Sequence, residues 1–96
     1  MRYKIKEVKD KFPKGYIGMN DRAYKTLYHK KYPYSSKTVC VFGGLGKKAR
    51  KHTLKHEMIE NQLMRNKNMH YRTAHKYALK YEQNTRPINK IIRTIK

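Results

Sequence analysis

The longest helical pattern lies in the second half of the chain, where no Gly or Pro interrupts residues 47–65. At 100° per residue, six side chains of this segment share one arc of about 100°. They are Ala49, His52, His56, Ile59, Glu60 and Leu63. Because this arc contains large apolar residues, we predict that it faces the interior and that the histidines and Glu60 face inward with it.

Two further helical patterns follow this segment. After a break at residues 66–68, with Asn68 as the expected cap, one face of a second helix is formed by Tyr71, His75, Ala78, Leu79 and Glu82. In the last residues, isoleucines 88, 91, 92 and 95 follow the i, i+3, i+4, i+7 spacing. This spacing predicts a small amphipathic helix that needs a partner surface.

The first half of the chain predicts strands around one helix. Residues 3–8 alternate weakly, as in a strand, and Asn20 is placed to cap a helix that ends before Pro33. Residues 38–42 form a short apolar run that ends at two glycines, which is typical of a buried strand. The order of elements predicts a small α+β domain.

Charge and cysteine content restrict the protein class. The 96 residues include 25 Lys and Arg but only six Asp and Glu, giving a net charge of +19. Such a charge attracts nucleic acid, acidic membrane surfaces or acidic partners, or it is simply a solvated lysine-rich surface. The single cysteine, Cys40, excludes an internal disulfide and is expected to be a small buried residue of the strand. With no apolar run of about 20 residues, we expect a soluble, cytoplasmic protein.

The inward-facing polar residues have the spacing of a metal site. His56 and Glu60 lie four residues apart, so their side chains can converge on one ion. A loop centred near Lys67 would fold the next helix back antiparallel, which places His75 nearly level with Glu60. Two histidines and one glutamate are the ligands of many catalytic zinc sites. Glu57 would then be free to act as general base on a water molecule.

Several alternatives to this zinc site remain open at the level of sequence. His52 is either a fourth ligand or an interior polar group. His75 is alternatively a core histidine bonded to Glu60 or Glu82, and Glu57 a solvated charge beside a lysine. If the zinc site exists, a substrate strand could pair with the edge of residues 38–42.

Two rival functions use the basic charge instead. In the first, the protein binds nucleic acid through phosphate contacts. In the second, it is a nuclease in which Glu57 and Glu60 hold Mg²⁺. For five tyrosines of the first half, packing in the core and on the surface is favoured over a role in base stacking. These tyrosines are Tyr16, Tyr24, Tyr28, Tyr32 and Tyr34.

The stretches "HTLKHEMIENQLM" and "YRTAHKYA" resemble the minigluzincins, a family of small metallopeptidase-like proteins from thermophilic prokaryotes. The resemblance covers about residues 47–82. It implies a minimal zincin fold with His56, Glu60 and His75 as zinc ligands and Glu57 as general base. Relative to the usual gluzincin pattern, a glutamate and a histidine have exchanged places, since Glu60 stands where a histidine is usual and His75 where a glutamate is usual.

The resemblance also implies latency. In that family a C-terminal segment blocks the cleft, either within one molecule or by exchange between two. Residues 1–82 would then be the catalytic domain, and residues 83–96 a tail that blocks the cleft or joins a homodimer. The resulting prediction is a latent, zymogen-like zinc metallopeptidase that acts on peptides or proteins, with no membrane partner.

Overall fold

The computed structural model describes residues 2–95, which form four α-helices and a three-stranded sheet. The strands are β1 (Lys4–Val8), β2 (Gly18–Met19) and β3 (Thr38–Phe42). The helices are α1 (Asp21–Tyr28), α2 (Lys47–Asn66), α3 (Tyr71–Tyr81) and α4 (Ile88–Thr94). This architecture confirms the predicted α+β class. No helix within residues 2–95 is long and apolar enough to cross a bilayer.

The sheet has the order β1-β3-β2, so β3 is its central strand. β1 runs parallel to β3, with Lys4 beside Thr38, and β2 runs antiparallel to it, with Gly18 opposite Val41. Because β3 has a neighbour on both sides, the hypothesis that a substrate strand pairs with its edge is wrong. The edge strand that contacts α2 is β2, which at two residues is too short to produce a strand pattern in the sequence.

The region around α1 confirms two predictions. Asn20 is the N-cap of α1, and its Oδ1 accepts a hydrogen bond from the Ala23 N–H at 3.0 Å. The helix ends at Tyr28, where His29 adopts a left-handed conformation with φ of 53°. The five tyrosines between residues 16 and 34 pack in one core cluster with Met19, Ala23 and Cys40, which agrees with a packing role.

The strand cysteine is buried, as predicted. Cys40 has no exposed surface, and its Sγ lies 3.1 Å from the Tyr32 hydroxyl. That hydroxyl also donates to the Thr38 carbonyl at 2.9 Å, so Tyr32 ties the chain after α1 to β3. Burial raises the pKa of the Cys40 thiol, which makes this side chain an unreactive packing residue.

The turn between α2 and α3 differs in detail from the prediction. Asn68 does not cap α3 but reverses the chain with a φ of 52°. The N-cap is His70, whose Nδ1 accepts a hydrogen bond from the Arg72 N–H at 3.3 Å. A local Asn can serve either role, because it tolerates the left-handed conformation as well as it caps helices. The turn nevertheless folds α3 back onto α2, as predicted.

The main hydrophobic core is built between α2, α3 and α4. It consists of Ile59, Leu63, Met64, Ala74, Ala78, Ile91, Ile92 and Ile95. The predicted C-terminal helix therefore finds its partner surface in its own chain. The division of the chain at residue 82 stays a prediction, but the isoleucines of the tail belong to the same core as α2 and α3. Leu79, predicted to face inward, is 57% exposed, so its placement was wrong.

Candidate metal centre

Three side chains from α2 and α3 converge at one point, and they are the three predicted ligands. Glu60 Oε2 lies 2.8 Å from His75 Nδ1 and 3.2 Å from His56 Nε2. The two histidine nitrogens are 3.1 Å apart. The antiparallel turn thus brings His75 level with Glu60, as the residue count from Lys67 predicted. Within residues 2–95 these three form the group that could hold a metal ion.

The triangle of ligand atoms has a size suited to zinc. A tetrahedral zinc ion with bonds of about 2.0–2.2 Å keeps its ligand atoms roughly 3.3–3.6 Å apart. The three observed separations are only a few tenths of an ångström shorter, so small rotamer changes would admit an ion. Two imidazole nitrogens and one carboxylate oxygen also match zinc better than Mg²⁺ or Ca²⁺, which prefer oxygen ligands.

Two residues outside the triangle, Glu82 and Tyr71, orient the two histidine rings. The second nitrogen of His56, Nδ1, lies 2.9 Å from Glu82 Oε1. A carboxylate at this position holds a ligand histidine in one tautomer and makes it a better donor. The ring of His75 stacks on Tyr71, with centroids 5.4 Å apart and planes inclined by 28°. Of the two alternative partners of His75, Glu60 contacts it at 2.8 Å, whereas Glu82 bonds to His56.

Glu57 lies beside the triangle and is held by Asn20. Its Oε2 is 4.0 Å from His56 Nε2, and its Oε1 accepts a hydrogen bond from Asn20 Nδ2 at 2.9 Å. The same amide donates to Glu60 Oε1 at 3.1 Å, while Asn61 Nδ2 donates to Asn20 Oδ1 at 3.2 Å. Glu57 is only 7% exposed, so the alternative of a solvated charge is wrong.

Asn20 is the site residue that the sequence interpretation missed. Its role as helix cap was predicted, but the cap uses only Oδ1 and leaves the amide nitrogen to donate elsewhere. Asn20 is 1% exposed, and a buried amide needs partners. The one signal in the sequence was the cap itself, since the two carboxylates that it contacts lie 37 and 40 residues away.

The electrostatics of the centre reflect an excess of negative groups. Burial raises the pKa of Glu57 to about 8, and the neighbouring charge of Glu60 adds to this effect. Burial acts in the same direction on Glu60, but hydrogen bonds with His56 and His75 outweigh it and lower its pKa. For His56, burial lowers the pKa, while the Glu60 hydrogen bond and the Glu57 charge raise it to a net value of about 9.

The carboxylates of this centre are unusual for so basic a chain. Glu57, Glu60 and Glu82 are three of only six acidic residues in a protein with a net charge of +19. Within residues 2–95, no lysine or arginine forms an ion pair with any of the three. Among the described residues, the cationic partners of these carboxylates are histidines, when protonated. A bound divalent cation would balance this local charge.

A cleft of about 250 Å³ opens beside the centre. It is lined by Tyr16, Ile17, Gly18, Thr53, His56, Glu57, His75, Leu79 and Glu82. A β-carbon on Gly18 would lie 2.6 Å from Thr53 Cγ2 and 2.9 Å from Glu57 Cγ. Only glycine therefore allows the backbone of β2 to approach Glu57 so closely.

Within residues 2–95, His52 does not join the ligand group and α4 does not cover the cleft, although both were predicted. His52 is half-buried and stands outside the triangle, so it is not a fourth ligand in this arrangement. The cleft lining contains no α4 residue, and α4 does not cover the cleft of its own chain.

Comparison with known proteins finds no family model, no curated protein and no solved structure that matches this chain. The resemblance to the minigluzincins therefore stays a prediction based on the motif of α2 and the histidine of α3.

Proposed function

We propose that the protein is a zinc-dependent metallopeptidase of minimal zincin type. The observation that carries this proposal is the convergence of His56, Glu60 and His75 within 3.2 Å of one another, with Glu57 beside them. Three ligands leave one position of a tetrahedral ion for water or substrate, which is the arrangement of catalytic rather than structural zinc. The motif resemblance to the minigluzincins supports the same function.

The roles of the chain's own residues follow from their positions. Zinc, when bound, would polarise a substrate carbonyl and lower the pKa of a water molecule towards about 7. Asn20 holds Glu57 Oε1, which leaves Oε2 directed towards the centre. In its ionised form, which a nearby cation favours, Glu57 would take the proton from the attacking water and then deliver it to the leaving amine. Glu82 keeps the His56 ring in place throughout.

The cleft suits an extended peptide. Ile17 and Gly18 form one wall, and β2 is the edge strand on this side of the sheet. A substrate that adds to this edge would have its backbone held by main-chain hydrogen bonds beside Glu57. The exposed Leu79 on the facing helix would contact an apolar substrate side chain.

The decisive experiment is elemental analysis of the purified, tag-free protein, of a His75→Ala variant and of a His52→Ala control. We expect about one zinc per chain in the parent and in the control, and its loss in His75→Ala. Hydrolysis of quenched fluorescent peptides should then stop with a chelator and return with zinc. Protein without stoichiometric metal, or zinc that is indifferent to His75, would contradict the proposal.

The Mg²⁺ nuclease is the weaker alternative. Glu57 and Glu60 share the amide of Asn20, so both carboxylates do lie at one place. However, the imidazoles of His56 and His75 converge there too, and imidazole is a poor ligand for Mg²⁺. After chelation, hydrolysis of nucleic acid that is restored by Mg²⁺ but not by zinc would favour the nuclease.

The predicted homodimer would form by exchange of α4 between two chains. Within one chain, Ile91, Ile92 and Ile95 are buried against α2 and α3 and cannot also block the cleft. A swapped helix would fill the same core of a partner and keep both chains together, but it would leave the cleft open in the same way. Sedimentation of the purified protein tests the homodimer, and a monomer at all concentrations would exclude exchange.

A further inference from the structure

A solvent-exposed face of α3, next to the face that carries His75, holds a row of cations. Arg72, Lys76 and Lys80 are spaced four residues apart, which places them on one side of the helix at a rise of about 6 Å from one to the next. All three are exposed. Together with Thr73 and Tyr77 they line an open concavity of about 510 Å³.

These cations have no acidic partner among residues 2–95. The ion pairs of residues 2–95 involve Lys25, Arg50, His56 and His75 instead. α3 itself contains no Asp or Glu. Like charges four residues apart destabilise a helix, and a face that served only solubility would gain from alternating signs. The row is therefore unfavourable in the free protein and would be relieved by a bound anion.

The shape of the row selects the kind of anion. Three charges in line extend over about 12 Å, which suits a chain of phosphates better than one isolated phosphate. Tyr77 lies within the same concavity, half-buried against the core, and its ring provides a stacking surface for a base. Arg72 adds a guanidinium, which binds phosphate through two parallel hydrogen bonds.

We propose that this outer face of α3, defined by Arg72, Lys76, Tyr77 and Lys80, binds single-stranded nucleic acid. The three cations contact neighbouring phosphates, and Tyr77 stacks on a base. A membrane surface fits less well, because the concavity offers no large aliphatic side chain for insertion among its cations. This binding site is separate from the cleft and does not depend on the proposed peptidase.

The test measures fluorescence anisotropy of a labelled single-stranded oligonucleotide over a range of salt concentrations. The site variant is R72Q/K76Q/K80Q, and the control is K30Q/K31Q/K37Q, which removes the same charge from exposed lysines outside α3. Each neutralised phosphate of a single strand contributes about 0.7 to the slope of log K against log salt. We expect the slope to fall by about 2 in the site variant and by much less in the control.

A second variant tests the stacking contact. Tyr77→Leu should weaken single-strand binding roughly tenfold and leave the salt slope unchanged, because base stacking is largely independent of salt. The zinc content and thermal unfolding of all variants are measured in parallel, so that a failure of the metal site or of folding is recognised separately.

Three outcomes would overturn the proposal. The first is an equal loss of slope in the site variant and the control, which would mean diffuse attraction by the whole surface. The second is an affinity for duplex DNA that equals or exceeds the affinity for the single strand and that Tyr77→Leu does not reduce. The third is binding to anionic phosphatidylserine vesicles but not to the oligonucleotide.

Discussion

The two faces of α3 carry opposite kinds of chemistry. Its inner face brings His75 to Glu60, in a centre whose carboxylates form no ion pair with lysine or arginine within residues 2–95. Its outer face carries Arg72, Lys76 and Lys80 without an acid. One helix of eleven residues thus borders a centre rich in carboxylates on one side and carries a row of cations on another. The helical period produces this separation, because Arg72, Lys76 and Lys80 lie about 60°, 100° and 140° round the helix from His75.

This contrast shows how a strongly basic chain can keep a buried cluster of carboxylates apart from its lysines and arginines. In water at physiological salt, exposed charges are screened beyond about 8 Å, whereas buried pairs are screened much less. The cations of the outer face are exposed, so solvent and salt weaken their effect on the buried centre. The buried carboxylates act on the centre at close range, where the effective dielectric constant is lower.

The largest expected effect concerns the inner face. Glu57→Gln keeps the size and the hydrogen bond to Asn20 but cannot accept a proton. We expect peptide hydrolysis to fall by about 10²–10⁴-fold, with zinc content and oligonucleotide binding unchanged. Single-turnover hydrolysis and elemental analysis check both parts. Full activity in this variant would remove Glu57 from the mechanism, and loss of zinc would make it a ligand.

Zinc itself should produce the next largest effect. At a free concentration of 100 times its Kd, a ligand that binds only the folded state stabilises it by about 2.7 kcal/mol. For a domain of this size we expect Tm to rise by roughly 10–20 °C. Scanning calorimetry with zinc, with Mg²⁺ and with a chelator measures the shift. In His75→Ala the zinc-dependent shift should disappear, and its persistence there would contradict the three-ligand centre.

Removal of the Asn20 amide should have a smaller effect. Asn20→Ser retains a good helix cap but cannot reach Glu57 and Glu60, so two buried carboxylates lose a donor. We expect the free energy of unfolding to fall by about 1–2 kcal/mol in urea titrations of the metal-free protein. Asn66→Ser, at the exposed end of α2, is the control and should change stability by less than about 0.5 kcal/mol. Equal stability of both variants would show that the amide matters only as a cap.

The smallest effect belongs to the outer face. Lys76→Glu places an opposite charge between Arg72 and Lys80, which converts two repulsive i, i+4 pairs into attractive ones. We expect the metal-free protein to gain about 0.5–1 kcal/mol at low salt and to lose oligonucleotide affinity. Urea titration at two salt concentrations measures the gain. A loss of stability would mean that the row is not strained in the free protein.

Features that depend on residues close together in the sequence were predicted correctly, whereas contacts between distant segments were not. The arc of α2 and the residue count across the turn depend on helix geometry alone, and they correctly brought His56, Glu60 and His75 together. The hydrogen bonds from Asn20 to Glu57 and Glu60 join segments 37 and 40 residues apart, and no periodicity reports such a contact.

The wrong placements have a similar cause. Leu79 lies on the predicted inner face of α3, but that face also borders the cleft, and helical angle does not distinguish a core from an open cleft. The Glu82 side chain could reach either histidine from its position, and only the packing of α3 on α2 selects His56. Whether β3 has a free edge depends on its pairing with β2. β2 has only two residues, which is too few to give a strand pattern in the sequence.

The turn at residues 67–70 has a consequence for how such a protein could evolve. The turn places the first residues of α3 against α2, and within the helix each added or deleted residue rotates the side chains after it by about 100°. A one-residue insertion between Tyr71 and His75 would preserve both helices, yet it would rotate His75 out of the centre and bring another face of α3 inward. Descendants of this chain could thus gain or lose a metal centre through one insertion in α3, without a substitution at any ligand.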